Sequence, residues 1–182
     1  MSHVEMAGLA LTCHPVARCA APGAVSARVR RTASGIAVTY VIDGNLERPR
    51  VPPPRAPRRA ERLWLHTCCE MFVARPGLPG YHEFNFSPSG EWAAYAFARY
   101  REPLPGADGA PDPRIVLRSA DDRLELDAVV RFDPAGRLIL GLAAVIEQDD
   151  GVLSYWALGH PPGKPDFHYR DAFTLELDEA RH

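Results

Sequence analysis

Four side chains in one stretch of the chain have the chemistry of a site that binds a polar ligand. Trp64 precedes Glu70, and Glu83 and Asn85 follow in the next apolar segment. An indole ring offers a flat apolar face on which the C–H face of a sugar ring can stack. Carboxylates accept hydrogen bonds, and an amide both donates and accepts them. We therefore expect these four residues to line a ligand site in which Trp64 is the stacking platform.

The elements that position these side chains are two adjacent strands. Residues 68–73 and 81–86 are rich in apolar and aromatic side chains, and the Gly- and Pro-rich residues 75–80 separate them, which predicts strands joined by a turn. Side chains alternate between the two faces of a strand. The residues expected to face the core are Met71, Val73, Phe84 and Phe86. The opposite face then carries Glu70, Phe72, Tyr81, Glu83 and Asn85, and a shift of one residue in register would invert this assignment.

The two carboxylates, Glu70 and Glu83, also raise the question of catalysis. Paired carboxylates act as acid and base in glycosidases. Sequence signatures of other catalytic and nucleotide sites, such as Gly-x-Ser-x-Gly, His-Glu-x-x-His and the P-loop, are absent. The alternatives are hydrogen bonding to a ligand and a solvated, salt-bridged sheet face. We expect a protein that is not an enzyme, and a two-carboxylate enzyme is the most remote of the functions considered.

Two imidazoles and a carboxylate lie within one short segment near the end of the sequence. His160, Asp166 and His168 fall within residues 160–168, which are rich in Gly and Pro. These side-chain types bind divalent transition metals, although their spacing matches no standard zinc pattern. The alternative is that they hold the loop together by hydrogen bonds.

Longer motifs in the same stretch resemble a known family. Trp64, then Glu70-Met-Phe-Val, a Gly/Pro turn and residues 81–90 (YHEFNFSPSG) resemble family 9 carbohydrate-binding modules, and resemble their bacterial DOMON-like relatives more closely. Residues 154–160, 165–168 and 173–177 also resemble those relatives, so the resemblance covers most of the chain from about residue 61 to residue 177.

The resemblance implies a site as well as a β-sandwich. In the carbohydrate-binding family two tryptophans sandwich a terminal sugar; Trp64 matches the first of them, Glu70 an adjacent hydrogen-bonding carboxylate, and Trp156 the second. The alternative is that both tryptophans seal the ends of the sandwich core. Some DOMON domains bind haem through one Met and one His, which would here be Met71 with His160 or His168. Core packing of Met71 is the competing interpretation, and the sequence has no Cys-x-x-Cys-His motif.

Length, charge and cysteine content limit the class of protein. The 182 residues are expected to form one domain, and a net charge of −2 argues against nucleic-acid binding through a basic surface. No segment has the roughly 18 apolar residues of a membrane span, and the N-terminal residues lack a signal-peptide pattern. We therefore expect a cytoplasmic protein. Its four cysteines, Cys13, Cys19, Cys68 and Cys69, are then expected to be free thiols.

Short alternating segments with turn signals between them run along most of the chain, whereas residues 44–60 are Pro- and Arg-rich and predict an extended surface connection. This pattern predicts an all-β fold: an antiparallel β-sandwich, immunoglobulin-like or jelly-roll-like, of about nine or ten strands with little helix. The function expected is binding of a small saccharide or related polyol without chemistry. The alternative is a haem- or metal-binding domain, and the sequence predicts no oligomeric state.

Overall fold

The computed structural model describes residues 8–17, 21–105, 112–132 and 135–179. In this part of the chain twelve strands are present: β1 (Leu9–Cys13), β2 (Ala24–Thr32), β3 (Gly35–Asp43), β4 (Cys68–Ala74), β5 (Tyr81–Phe86), β6 (Trp92–Arg99), β7 (Glu102–Pro103), β8 (Arg114–Ala120), β9 (Arg123–Arg131), β10 (Leu138–Glu147), β11 (Leu153–Ala157) and β12 (Leu175–Leu177). Two single 3₁₀ turns, Leu63–Leu65 and Arg170–Ala172, are the helical segments in the same ranges. The all-β prediction is confirmed.

The strands form a sandwich from one continuous antiparallel sheet. The strand order is β7-β6-β5-β4-β10-β11-β1-β2-β3-β9-β8, and β12 pairs with β10. Strand β1 joins the two layers, because Leu9–Leu11 pairs with β2 while Thr12 and Cys13 pair with β11. We call the layer that contains β4, β5, β6, β10 and β11 the front sheet, and the layer of β2, β3, β9 and β8 the back sheet. The predicted β-sandwich is therefore present. The sequence did not indicate the two-residue strand β7.

The core lies between the two sheets and confirms the predicted strand faces. The front sheet contributes Met71, Val73, Phe84 and Phe86, all of them buried in one cluster with side chains of the back sheet. The hydroxyl of Tyr40, on β3 of the back sheet, crosses this core and donates to the backbone carbonyl of Glu70 at 2.6 Å. This buried hydrogen bond fixes the position of β4 directly behind the predicted site.

A second, smaller apolar cluster lies on the outer face of the front sheet. Its buried members include Phe72, Tyr81 and Phe173, and the last of these comes from the chain between β11 and β12. We call that segment, residues 158–174, the C-terminal loop. Gly141 on β10 allows Phe173 to lie close to the sheet, because a Cβ at this position would be 2.6 Å from Cδ1 of the ring. The loop is thereby held over one part of the front sheet.

The Pro-rich residues 44–60 form no strand and run along the surface, as predicted, with isolated bridges from Pro49 to Gln148 and from Arg59 to Trp92. Arginines pin this segment to acidic side chains of the sandwich: Arg50 contacts Glu147 and Arg58 contacts Glu91. It therefore leads the chain in an ordered path to the Leu63–Leu65 turn.

The cysteines differ from the expectation of four free thiols. Cys68 and Cys69 are free and fully buried, and burial raises the pKa of both thiols. Cys13 is disulfide-bonded, so the expectation is wrong for this residue, and Cys19 lies outside the described residues. Among the described residues no helix is long and apolar enough to cross a membrane.

Candidate functional site

A cleft of about 450 Å³ opens on the outer face of the front sheet. Its floor is formed by side chains from β4, β5, β6, β10 and β11, among them Glu70, Glu83 and Val145. The Leu63–Leu65 turn and the C-terminal loop contribute further lining residues. The volume lies in the range of about 300–1,000 Å³ that is typical of small-molecule sites.

Trp64 lies at the rim of this cleft with part of its ring in solvent. The 3₁₀ turn that carries it follows Arg62, whose φ of 61° is left-handed, and Trp64 is 38% exposed. Its indole contacts the ring of Tyr95 edge-on, with 6.1 Å between the ring centroids. Tyr95 is itself held by Glu61, whose carboxylate accepts a hydrogen bond from the phenol at 2.6 Å. The platform is therefore supported from the sheet while an aromatic surface stays accessible.

The C-terminal loop is anchored to the turn after β6 by one carboxylate. Asp166 accepts hydrogen bonds from the hydroxyl of Tyr100 at 2.6 Å, from the guanidinium of Arg101 at 2.7 Å and from the backbone N–H of His168 at 3.0 Å. Burial opposes ionisation of Asp166, but the hydrogen bonds from Tyr100 and Arg101 hold its pKa below the usual range. The wall formed by Asp166, Phe167 and His168 is thus fixed by ionic contacts.

Two buried carboxylates, Glu70 and Glu83, form the polar part of the floor. They are only 4% and 5% exposed. Glu70 lies opposite Asn85 in the β4–β5 register and Glu83 lies opposite Phe72, so the two carboxylates are diagonal neighbours on one face. Glu83 Oε1 accepts a hydrogen bond from Asn85 Nδ2 at 2.8 Å. The Glu70 carboxylate accepts no hydrogen bond from the described residues.

Burial makes both carboxyl groups weak acids. It raises the pKa of Glu70 well above its usual range, and the neighbouring charge of Glu83 raises it further. It also raises the pKa of Glu83 to about 7, against the opposing effects of the Asn85 hydrogen bond and the Arg101 charge. Because these groups hold protons that an exposed glutamate would have lost, part of the acidic floor of the cleft is neutral near pH 7.

A short relay of hydrogen bonds connects the second carboxylate to the chain beyond β6. The backbone N–H of Arg101 donates to the Tyr81 hydroxyl at 3.1 Å, and that hydroxyl lies 2.8 Å from His168 Nδ1. Burial and the Arg101 charge lower the pKa of His168 to about 4, so the ring is neutral. If Tyr81 donates to Nδ1, the remaining ring proton is on Nε2, which lies 3.5 Å from Glu83 Oε2.

The structure brings together three of the residues predicted for the ligand site and separates the others from it. Trp64, Glu70 and Glu83 line one cleft. Asn85 lies beneath the floor with no exposed surface, where it holds Glu83. Trp156 is 6% exposed, belongs to the core between the sheets and donates to Ser154 Oγ at 3.0 Å. The expectation that it lines the site is corrected: alternation along β11 turns Leu153 and Tyr155 toward the cleft, and Ser154 and Trp156 inward.

The three residues predicted to bind a metal, His160, Asp166 and His168, do not lie together. Asp166 and His168 line the cleft, whereas His160 lies elsewhere and donates from Nε2 to the backbone carbonyl of Thr12 at 2.7 Å. Within the described ranges, no group of three or more His, Cys, Asp or Glu residues is placed to hold a metal ion. Met71 is fully buried in the core, on the opposite face of β4 from the cleft, so it does not meet His168 as a haem ligand would.

Several cleft residues were not singled out in the sequence. Tyr95 pairs with Glu83 across β5 and β6, so alternation along β6 could have placed it on the same face. Tyr155 was missed because its neighbour Trp156 was assigned to the site. Arg101 and Phe167 carry no local signal, because they reach the cleft through contacts between distant segments.

Comparison with known proteins supports the fold. The chain matches no protein-family model and no curated protein sequence. Its structure is similar to a candidate carbohydrate-binding protein from Bacteroides uniformis, with a TM-score of 0.59 and 18% identity over 85% of this chain and 78% of that one. It is also similar to a family 9 carbohydrate-binding module from Caldicellulosiruptor kristjanssonii in complex with cellotriose, with a TM-score of 0.60 and 5% identity over 97% of this chain and 84% of that one. The protein therefore has a β-sandwich fold like that of a family 9 module.

Proposed function

We propose that the protein is a non-catalytic binding domain that holds a small saccharide or a related polyol in the cleft between Trp64 and the C-terminal loop. The observation that carries this proposal is the meeting of a partly exposed tryptophan with two buried carboxylates in one cleft of about 450 Å³. Aromatic surface and a few fixed polar groups are the usual components of a site that binds and orients a small molecule.

The arrangement fits the two-sided chemistry of a sugar. The apolar face of a pyranose ring would stack on Trp64, and hydroxyl groups at the ring edge would donate to Glu70 and Glu83. The Nε2–H of His168 and the guanidinium of Arg101 would supply donors to the sugar oxygens. Because these partners are fixed by their contacts with Asn85, Tyr81 and Asp166, little ordering would be needed when the ligand binds.

Similarity in fold adds support at a general level. The module from Caldicellulosiruptor kristjanssonii holds cellotriose, and saccharide binding comes to this chain as a proposal on that basis and on the cleft. The closer relationship to bacterial DOMON-like domains remains a proposal that the sequence motifs support. The cytoplasmic location also remains a proposal, and the disulfide bond of Cys13 counts against it. A soluble saccharide, rather than an extracellular polysaccharide, would be the ligand available in that compartment.

The absence of catalysis is part of the proposal. A glycosidase needs one carboxyl group as the acid and a second group that stays ionised as nucleophile or base. In this cleft burial raises the pKa of Glu70 and of Glu83 alike. Neither carboxyl has the low pKa of a group that stays ionised, which supports binding rather than hydrolysis.

The proposal is tested by a saccharide array followed by calorimetry on the wild type and on Trp64→Ala. We expect a mono- or disaccharide to bind, and the loss of the stacking platform to cost at least about 2 kcal/mol of binding free energy. The matched control is Leu78→Ala, because Leu78 is exposed and lies outside the cleft. A confirmed saccharide that binds Trp64→Ala as tightly as the wild type would refute the site, and an array without any binding would refute the function.

A further inference from the structure

We propose that the saccharide carries a protonated amine, so that the ligand class is an amino sugar whose ammonium group binds between the carboxylates of Glu70 and Glu83. This inference rests on the proposed function and adds the charge of the ligand to it. Neutral sugars and negatively charged sugars, such as sugar phosphates, would be the weaker ligands.

Carboxyl groups outnumber basic groups among the side chains that line the cleft. The titratable and charged side chains that face the cleft, from each element packed against it, are Glu70 (β4), Glu83 (β5), Tyr95 (β6), Arg101 (the turn after β6), Tyr155 (β11), and Asp166 and His168 (the C-terminal loop). Arg101 is the only lysine or arginine among these described lining residues, and its guanidinium binds Asp166 at 2.7 Å. His168 is neutral. The charge of Arg101 lowers the pKa of Glu70 and of Glu83, but among the described residues no lysine or arginine forms an ion pair with either carboxylate.

The carboxylate oxygens of Glu70 have no hydrogen-bond donor among the described residues. Its side chain is more than nine-tenths buried, it lines the cleft, and no described residue donates to its carboxylate. Buried carboxylates normally have a donor or a cation as a partner. On this face of β4 the cleft is the space from which such a partner can come, and an ammonium group with three N–H donors meets both requirements together.

Protons partly neutralise the carboxyl groups on the cleft floor, and an ammonium group can replace them. Burial raises the pKa of Glu83 to about 7 and that of Glu70 well above its usual range, so the cleft floor still holds a carboxyl proton near neutral pH. When an ammonium group enters, an ionised carboxylate becomes the better partner, because charge-assisted hydrogen bonds are roughly twice as strong as neutral ones. The carboxyl proton then leaves to solvent, so that binding of the amine should release a proton and binding of a neutral sugar should not.

The aromatic rings at the rim favour the same ligand. Trp64 and Tyr95 lie with their ring centroids 6.1 Å apart near Glu83, and the guanidinium of Arg59 lies 5.8 Å from the Tyr95 centroid. The π face of Trp64 attracts cations as well as sugar C–H groups. An anionic group in the same place would meet the acidic floor and the electron-rich ring faces. The charge distribution of the cleft thus excludes phosphorylated sugars and uronic acids as preferred ligands.

The test compares three disaccharides of similar size by calorimetry at pH 6.5: cellobiose, the β-1,4-linked glucosamine disaccharide, and its N,N′-diacetyl form. The glucosamine disaccharide is expected to bind about tenfold or more tightly than the other two, on the strength of a charge-assisted bond. Its measured enthalpy should vary between buffers of different ionisation enthalpy, which reports proton release. Equal affinities of cellobiose and the glucosamine disaccharide would overturn the inference while the proposed function stands.

The matched variants are Glu70→Gln and Glu176→Gln. Glutamine has the shape of glutamate without its charge, so Glu70→Gln should abolish the preference for the glucosamine disaccharide over cellobiose. Glu176 lies on β12 at the surface, where its partner is Arg137, and its substitution should leave both affinities unchanged. A preference for the amine that persists in Glu70→Gln would overturn the assignment.

A fourth ligand, cyclohexylamine, distinguishes recognition of any amine from recognition of an amino sugar. Cyclohexylamine has a ring and an ammonium group but no hydroxyl groups. If it binds as tightly as the glucosamine disaccharide, the site recognises amines and not amino sugars, which overturns both the inference and the proposed function. Binding at least about tenfold weaker is the expected result, because the hydroxyl contacts with the other polar groups would be missing.

Discussion

The Nε2 atom of His168 lies 3.5 Å from Oε2 of Glu83, and this pair joins the C-terminal loop to the floor of the cleft. The imidazole is enclosed by aromatic rings, with centroid distances of 5.0 Å to Phe97 and 5.3 Å to Phe72. Enclosure disfavours the charged form of both partners, so it lowers the pKa of the histidine and raises the pKa of the glutamate. Between about pH 4 and pH 7 both groups are thus mainly neutral, where an exposed pair would form a salt bridge.

Glu83→Gln should make the folded protein less sensitive to alkaline pH. The pKa of Glu83 is raised from 4.5 to about 7 in the folded protein. A raised carboxyl pKa contributes stability that is fully present below pH 4.5 and is lost as the pH rises through 7. Glutamine cannot ionise, so the variant should gain up to about 3 kcal/mol relative to the wild type between pH 5 and pH 8. Urea unfolding at the two pH values measures the difference.

Glu176→Gln is the control for that experiment, because Glu176 is exposed on β12. Its unfolding free energy relative to the wild type should change little over the same pH range. If the difference in unfolding free energy between Glu83→Gln and the wild type is as independent of pH as it is for this control, the carboxyl group of Glu83 is not held protonated by burial.

The ring of His168 should titrate far below an ordinary histidine and should be a single tautomer. Its pKa of about 4 predicts a neutral imidazole at pH 6. Because the Tyr81 hydroxyl accepts from the N–H of Arg101, we expect it to donate to Nδ1, which leaves the ring proton on Nε2. Long-range ¹⁵N–¹H spectra distinguish the two tautomers by their nitrogen shifts. Tyr81→Phe removes the hydroxyl, so the Nδ1–H form should increase in that variant. A wild-type ring that is charged at pH 6, or a tautomer unaffected by Tyr81→Phe, would contradict the relay.

His168 also has the opposite effect on stability from Glu83. A lowered histidine pKa contributes stability that is present above pH 6.5 and is lost as the pH falls toward 4. The wild-type protein should therefore lose stability on both sides of a range near pH 6. The pH dependence of the wild-type unfolding free energy therefore combines the contributions of Glu83 and His168, and single variants are needed to separate them.

Gly141→Ala should loosen the C-terminal loop. A Cβ at position 141 would lie 2.6 Å from Cδ1 of Phe173, so the ring that packs on β10 would have to move. Forcing an extra methyl group into a packed cluster typically costs about 1–3 kcal/mol. The control is Gly159→Ala, where the new Cβ would make an ordinary 3.5 Å contact with Ala172 Cα. Urea unfolding should show a loss for the first variant and little change for the second.

The sequence predicts the strands and the face of the hairpin well, because both follow from local alternation. Met71 and Phe84 were placed in the core, and Glu70 and Glu83 on the opposite face, from the pattern within residues 68–86 alone. The part that could not be predicted depends on distant contacts. Arg101 and Asp166 meet across the cleft because the turn after β6 and the C-terminal loop fold over the same sheet, and no local pattern encodes that pairing.

The error at Trp156 has a physical cause of the same kind. Residues 153–157 alternate in side-chain direction, but both faces of the strand carry an aromatic residue, Tyr155 on one and Trp156 on the other. Periodicity by itself cannot say which of them faces the core. The pairing of β11 with β10 and β1 settles it, because Trp156 then lies inside the sandwich beside Ala144 and Cys13.

The two tryptophans, which the sequence assigned to one site, should therefore separate binding from stability. Trp64 is 38% exposed at the rim, so Trp64→Ala should abolish most ligand affinity while the free energy of unfolding changes by less than about 1 kcal/mol. Trp156 is buried in the core, so Trp156→Ala should cost about 3–5 kcal/mol of stability through the cavity it leaves. The folded fraction of that variant should still bind the saccharide. Calorimetry and urea unfolding on both proteins measure the two quantities. Equal losses of affinity in the two variants would place Trp156 in the site after all, and a large loss of stability in Trp64→Ala would show that its ring is a core element.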